Sequence, residues 1–247
     1  MKEWFEEWFD TAYYYNLYYQ RNENEADAFV ARLVKVLEFS ASARLLDVAC
    51  GNGRHVLAFN QLGYDVTGID LSYNKIRENL RFEKENLHFY RHDMRQLFRI
   101  NYFDVVLNLF TSFGYFKSHY DELNAAASIA ANVKYGGLFV IDYFNASYIR
   151  RNLQSEEQIE SGGFLFLIHK KLEDNWISKK ICVIEEDRCS IFYEKVRLYQ
   201  IEDLVALFNR FGLHIYKKFG SYQLEAYQPE HSERMILVFK KHNTEND

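Results

Sequence analysis

Short apolar runs separated by stretches of helical periodicity recur through residues 43–143. Leu45-Leu46-Asp47-Val48-Ala49 is a run of the kind buried on both faces of a parallel sheet. Past the turn Cys50-Gly51-Asn52-Gly53, the apolar residues Val56, Leu57, Phe59 and Leu62 recur at helical spacing and stop at Gly63, a helix with a C-terminal glycine. Val66-Thr67-Gly68-Ile69 reads as a second strand, ended by Asp70. Ser72 is placed to cap a helix through about residue 84, with Ile76 and Leu80 inward, and a strand follows over Leu87–Arg91. Phe103–Leu109 is a strand rich in β-branched residues, a helix runs from about Asp121 to Val133 and ends at Gly136-Gly137, and Leu138–Tyr143 is a fifth strand. Ahead of all these, residues 25–38 carry Phe29, Leu33, Val36 and Leu37 on one helical face, with Asn24 available as N-cap.

The rhythm changes after residue 143. Residues 163–171, 176–185 and 190–199 are strand-like, with turn signals at Glu173-Asp174-Asn175 and Glu186-Asp187-Arg188. They predict an antiparallel three-stranded insertion within about 147–199, too small to be an independent domain. A helix over 201–211 stops at Gly212, and strands over 213–219 and 234–240 close the pattern. The fold expected is α/β: a Rossmann-like, seven-stranded, mostly parallel sheet in one domain over 1–247, with the insertion following its fifth strand.

Composition narrows the class. The chain has 247 residues and 48% hydrophobic content, enough for a sizeable core. Its formal net charge of −5, mixed along the chain, argues against a surface that tracks phosphates, so nucleic-acid binding is not expected. The first residues are acidic where a signal peptide is basic and then apolar, and no apolar run approaches the ~20 residues that span a bilayer. The expectation is a cytoplasmic protein that does not bind membranes. Three cysteines, Cys50, Cys182 and Cys189, show neither a framework nor a metal spacing and read as reduced thiols. His88 and His92 on a strand do not converge on a metal, and no metal site is expected.

The candidate chemistry lies in residues 43–72. Strand, glycine turn, helix, strand and acid form the unit of a nucleoside-binding α/β fold. The glycines let backbone approach a ligand, and a carboxylate at Asp70 can accept from both hydroxyls of a ribose. The third glycine of a dinucleotide fingerprint is absent, and Asp47 would repel a pyrophosphate on this turn. A cofactor with an amino group and a sulfonium suits that acid better. The stretch resembles the first motif and the following acidic motif of the class I S-adenosylmethionine (SAM) dependent methyltransferases, D-x-x-x-G-x-G with an acid ending the second strand.

That resemblance implies SAM as cofactor, with contacts from Asp47, Ala49, Gly51, Gly53, Asp70, Leu71 and Asn108. It also implies adenine contacts from Asp93 and Met94, just past the third strand. The base-gripping N/D-P-P-Y motif of nucleic-acid and protein-amide N-methyltransferases has no counterpart here, because Asn108-Leu109-Phe110-Thr111 lacks proline. LFTSFGY instead resembles the Ser/Thr-rich loop of the small-molecule amine methyltransferases, of the glycine and amino-sugar N-methyltransferase type. The aromatic segment 1–21 reads either as a lid over the cofactor, through Tyr14, Tyr19 and Arg21, or as a packing arm.

Ligands in open α/β sheets bind outside the carboxyl ends of the strands. Thr111, Ser112, Tyr115, Tyr143 and Asn145 therefore become acceptor-site candidates, joined by Arg197, which matches a recurrent arginine of those relatives. Tyr115 and His119 are the candidates for a general base, should one be used. The function expected is SAM-dependent methyl transfer to nitrogen or oxygen of a small polar metabolite. The alternatives are a methyltransferase acting on tRNA or protein, and a SAM-binding protein without turnover.

Overall fold

A computed structural model describes residues 3–18, 23–186 and 188–242. Tyr19 and Arg21 lie outside these residues. The chain opens with α1 (Trp4–Trp8), α2 (Ala12–Leu17) and α3 (Glu23–Leu37). Helix α3 begins one residue before Asn24, so Asn24 is not its cap. The alternating unit follows: β1 (Arg44–Val48), α4 (Arg54–Gln61), β2 (Asp65–Asp70), α5 (Tyr73–Asn79), β3 (Leu87–Arg91), β4 (Phe103–Asn108), α6 (His119–Asn132) and β5 (Val133–Phe144). Helix α5 is shorter than its pattern predicts, giving way to a 3-10 turn over Leu80–Phe82.

The remainder is α7 (Ala146–Asn152), β6 (Glu156–Ser161), β7 (Phe164–Glu173), β8 (Trp176–Glu185), β9 (Arg188–Arg197), α8 (Ile201–Asn209), β10 (Leu213–Phe219) and β11 (Arg234–Lys241).

Among the described residues, seven strands form one sheet in the order β10-β11-β5-β4-β1-β2-β3. Strands β3, β2, β1, β4 and β5 are parallel, and β11 runs antiparallel to β5. Neighbouring residues on a strand face opposite sides, and both sides are buried. Leu45, Val105, Leu107 and Val140 pack with Phe29 and Leu33 of α3 and Phe59 of α4. Leu46, Val106, Phe139 and Ile141 pack on the other face, with Ile129 of α6 and Phe208 of α8. Covering both faces this way explains why the strands read as continuous apolar runs.

Two expectations change. Strand β5 begins at Val133, because a register shift between Phe103 and Val105 absorbs the Gly136-Gly137 segment into the strand. The insertion has four strands, in the order β6-β7-β8-β9, where three were expected. Strand β6 (EEQIES) is an edge of alternating exposure whose charged residues hide its strand character. Cys182 and Cys189 on the β8–β9 hairpin, read as reduced thiols, are joined as a disulfide, while Cys50 is buried and free.

The N-terminal helices join the insertion. Trp8 and Leu17 form a separate core with Phe166, Ile168, Ile181 and Val183. At its edge Trp8 Nε1 donates to Glu194 Oε1 at 2.7 Å, and Tyr18 Oη donates to the same carboxylate at 2.8 Å. Lys179 Nζ lies 3.0 Å from Glu194 Oε2. Burial raises the pKa of Glu194, but Lys179 and the donors from Trp8 and Tyr18 outweigh it and hold the carboxyl below its usual range. The mid-chain insertion therefore depends on the chain's first residues for its covered face.

Candidate functional site

The carboxyl ends of β1, β2 and β4 open on a cavity of about 620 Å³. Asp47, Ala49, Cys50, Gly51, Asn52, Asp70, Leu71, Asp93 and Met94 line it from the sheet side, with Leu109, Phe110, Ser112 and Tyr115. Phe5, Phe9, Tyr14, Tyr15 and Tyr18 close it from the N-terminal helices. This segment thus both walls the cavity and packs as an arm.

The glycine turn is built as its sequence suggests. Gly51 (φ 53°) and Gly53 (φ 76°) take left-handed conformations, and a Cβ at Gly51 would meet nothing within 4 Å. Asp70 is fixed by two backbone donors: Gly51 N at 2.8 Å to Oδ2 and Ser72 N at 2.8 Å to Oδ1. Burial nevertheless raises its pKa, against the pull of those two amides. The missing third glycine is answered by Gly68 in β2. A Cβ there would lie 3.0 Å from Val56 of α4 and 2.9 Å from Cys50 Sγ, so the close helix–strand approach is made from the strand.

Asp47 is 1% exposed, and its Oδ2 has no hydrogen-bond partner among the described residues. Burial, and then the charge of Asp70, push its pKa up to about 8, with Arg54 opposing. Asn108 is fully buried; its Nδ2 donates to Val48 O at 3.0 Å, and its Oδ1 is likewise unpartnered. These acceptors sit near the carboxyl ends of β1 and β4, and of the two only Asp47 lines the cavity. A buried acceptor left unsatisfied is unfavourable unless a donor arrives. A ligand ammonium group supplies one. A ribose fits the anchored carboxylate of Asp70. The residues therefore fit SAM, including Asp47, which a pyrophosphate on this turn would not tolerate.

Sequence reasoning missed several residues of the wall. Arg54 lies over the Phe110 ring at 4.4 Å and brings a cation to the cavity beside Asp47. His55 lines the cavity with its pKa pushed down to about 3 by burial and then by Arg54, so it stays neutral. Both sit in the first turn of α4, where the glycine motif drew attention to backbone rather than to side chains. Asp93 faces the cavity but is held by Arg95, at 2.6 Å from Nη2 and 3.0 Å from Nε. Burial raises the pKa of Asp93, while the Arg95 pairing outweighs it and brings the carboxyl below its usual range.

The acceptor candidates divide. Ser112 and Tyr115 line the cavity, whereas Thr111, Tyr143, Asn145, Arg197 and His119 are not part of its wall. Tyr143 is fully buried and donates to Arg197 O at 2.6 Å. Asn145 is fully buried, caps α7 at Ser147 N (3.0 Å) and donates to Pro229 O and Ser232 O. Both are structural anchors in this arrangement. Tyr143 falls on the opposite face of β5 from Asp142 by the two-residue period. Arg197 Nη1 is 3.5 Å from Glu122 Oε1, and His119 Nδ1 is 2.6 Å from Glu122 Oε2, so the buried Glu122 holds both. The Tyr115 hydroxyl donates to Thr111 O, and burial raises its pKa well above that of a free phenol, which does not suit it as a base.

The turn after β4 is strained. Phe110 (φ 69°) and Thr111 (φ 57°) are both left-handed without being glycine. Each costs roughly 1–2 kcal/mol, more for the β-branched Thr111. Strain of this kind concentrates at functional sites.

Comparison with known proteins agrees with this geometry. The sequence pattern of a family described as "Methyltransferase domain" matches residues 18–218. The chain belongs to that family. Among its relatives, the dTDP-3-amino-3,4,6-trideoxy-alpha-D-glucopyranose N,N-dimethyltransferase of Streptomyces venezuelae is 36% identical over 138 residues, 54% of this chain and 56% of that protein. The glycine/sarcosine N-methyltransferase of Aphanothece halophytica is 28% identical over 137 residues, 53% of this chain and 50% of that protein. The chain thus spans about half the length of these curated relatives.

A S-adenosylmethionine-dependent methyltransferase from Clostridium acetobutylicum superposes with a TM-score of 0.78 at 17% identity, over 94% of this chain and 98% of that one. The sugar N-methyltransferase KedS8 from Streptoalloteichus gives 0.72 at 19%, over 92% of each. At these identities the likeness establishes the fold.

Proposed function

We propose that this protein transfers a methyl group from SAM to a nitrogen of a small polar metabolite. The observation that carries the reading is the pairing of the unpartnered buried acceptor Asp47 Oδ2 with the backbone-anchored Asp70 in one aromatic-roofed cavity. Bound SAM supplies a methyl group already activated on a sulfonium. Asp70 holds the ribose hydroxyls, Asp47 takes the amino group, and Arg54 suits the carboxylate. Asn108, which does not line the cavity, anchors the end of β4 through Val48 O. Asp93 and Met94 face the adenine. Phe5, Phe9 and Tyr14 exclude water and align the acceptor, which is the main contribution a protein makes to such a displacement. Tyr115, whose hydroxyl donates to Thr111 O and whose pKa burial raises, and His119, held by Glu122 away from the cavity, take no part as bases in this reading. An amine arriving neutral needs none. The names of the relatives, acting on an amino sugar and on glycine, point the same way.

Methyl-labelled SAM incubated with pools of small amines, small alcohols and tRNA tests this. Label entering only the amine pool is expected. Label in tRNA, or a labelled alcohol with no labelled amine, overturns the acceptor reading.

A further inference from the structure

We propose that Asp142 and Arg234 are positioning residues that hold the strained turn at Phe110 and Thr111 and thereby shape the cofactor cavity. Asp142, 1% exposed on β5, satisfies the amides of both left-handed residues. Phe110 N donates to its Oδ2 at 2.9 Å, and Thr111 N donates to its carbonyl at 2.9 Å. Arg234, at the start of β11, completes the clamp. Its Nε donates to Asp142 Oδ1 at 2.8 Å, and its Nη2 lies 2.7 Å from that oxygen and donates to Thr111 Oγ1 at 3.0 Å. Tyr222 Oη donates to Asp142 Oδ2 at 3.0 Å from the loop before β11.

Everything the turn presents depends on this clamp. Phe110 lies against the Arg54 guanidinium and lines the cavity, as does Ser112. The Tyr115 hydroxyl rests on Thr111 O. Two adjacent left-handed residues without a glycine relax toward negative φ unless their amides are held. Relaxation would swing the Phe110 ring off Arg54 and open the wall. A buried ion pair is weak evidence for stability by itself. Here both partners direct their hydrogen bonds at one strained turn, and that supports a positioning role.

The inference rests on the reading that this cavity takes SAM, so the test has one readout with SAM and one without. Using the full chain, hydrogen exchange at the Phe110 and Thr111 amides is measured without ligand, and SAM affinity by calorimetry. Asp142→Asn should speed exchange at the Phe110 amide, whose acceptor is the Asp142 carboxylate, more than at the Thr111 amide, which keeps the backbone carbonyl, while sheet amides stay protected. It should weaken SAM binding about tenfold. Adding Thr111→Gly, which removes the left-handed penalty, should recover most of that loss.

Tyr222→Phe, which removes one hydroxyl, should shift both readouts in the same direction by a smaller factor if Asp142→Asn does not fold. Unchanged exchange in the Asp142 and Tyr222 variants overturns the clamp, as does a Thr111→Gly double variant whose losses simply add. Failure of the unsubstituted chain to bind SAM overturns the cofactor reading, and the exchange result then still decides the clamp.

Discussion

Ser72 Oγ donates to Asp10 Oδ1 at 2.5 Å, tying the N-terminal helices to the start of α5, just past Asp70 at the end of β2. Asn74 Nδ2 reaches the other oxygen of Asp10, also at 2.5 Å. Ser72 is doubly engaged, because its backbone N–H holds Asp70 Oδ1. The aromatic roof and Asp70 are therefore coupled through one residue. Asp10→Ala should loosen the roof without unfolding the sheet, since Trp8 and Leu17 keep their core contacts with the insertion. Each hydrogen bond to a carboxylate is worth about 1.5–3 kcal/mol. Part of that should appear as a several-fold rise in the SAM Kd, read by calorimetry. An unchanged Kd would separate the roof from cofactor retention.

Asp70→Ala removes the carboxylate proposed to hold the ribose and also the partner of Gly51 N and Ser72 N. The expected loss is about ten- to a hundredfold in SAM affinity. Asp70→Asn, which keeps an oxygen for one of the two amides, should lose less. Equal losses would mean that charge rather than turn geometry carries the effect.

How far the molecule was legible in its sequence follows the range of the interactions involved. The glycine turn, Asp70 and the first four strands of the parallel sheet rest on signals within about thirty residues and fold close to their reading, whereas β5 starts five residues earlier than its apolar run suggests. Asp142 and Arg234 were not found because they are far apart in the chain. Only the antiparallel register that pairs Ile236 with Asp142 and Arg234 with Phe144 brings them together. Tyr143 and Asn145 were placed at the correct edge of the sheet but assigned to the acceptor. Strand alternation and the cap of α7 turn them inward, which polarity alone does not reveal. Strand β6 escaped because Ile159 is its one apolar residue.

Removing residues 1–21 tests the dual role of the N-terminal segment. If it were a lid alone, the fold would survive. Its core with Phe166, Ile168, Ile181 and Val183 argues otherwise, because those side chains would be bared on one face of the insertion sheet. Removing Trp8 and Tyr18 also strips the buried Glu194 of two donors and leaves Lys179 as its partner. The truncated chain should show a lower Tm and bind a hydrophobic dye, with the parallel sheet still protected from hydrogen exchange. A truncated chain with unchanged Tm would mean that this core adds nothing to stability.

Asp47 gives the site a pH signature. In the folded chain its carboxyl titrates at about 8, raised from 3.8 chiefly by burial and then by Asp70. The unfolded chain loses this proton near the lower value, so between the two the folded state binds one proton more. Stability from this group therefore falls as pH rises from about 4 toward 8, the opposite of a salt-bridged carboxylate. Asp47→Asn, which does not titrate, should flatten that slope in urea midpoints measured across the range. Binding adds a second consequence. A ligand ammonium favours the ionised carboxylate, so SAM binding near pH 6.5 should release close to one proton. Calorimetry in buffers of different ionisation enthalpy would read it directly. Asp47→Asn should bind more weakly and release none. Proton release that persists in Asp47→Asn would assign the titration to another group and remove Asp47 from the amino-group site.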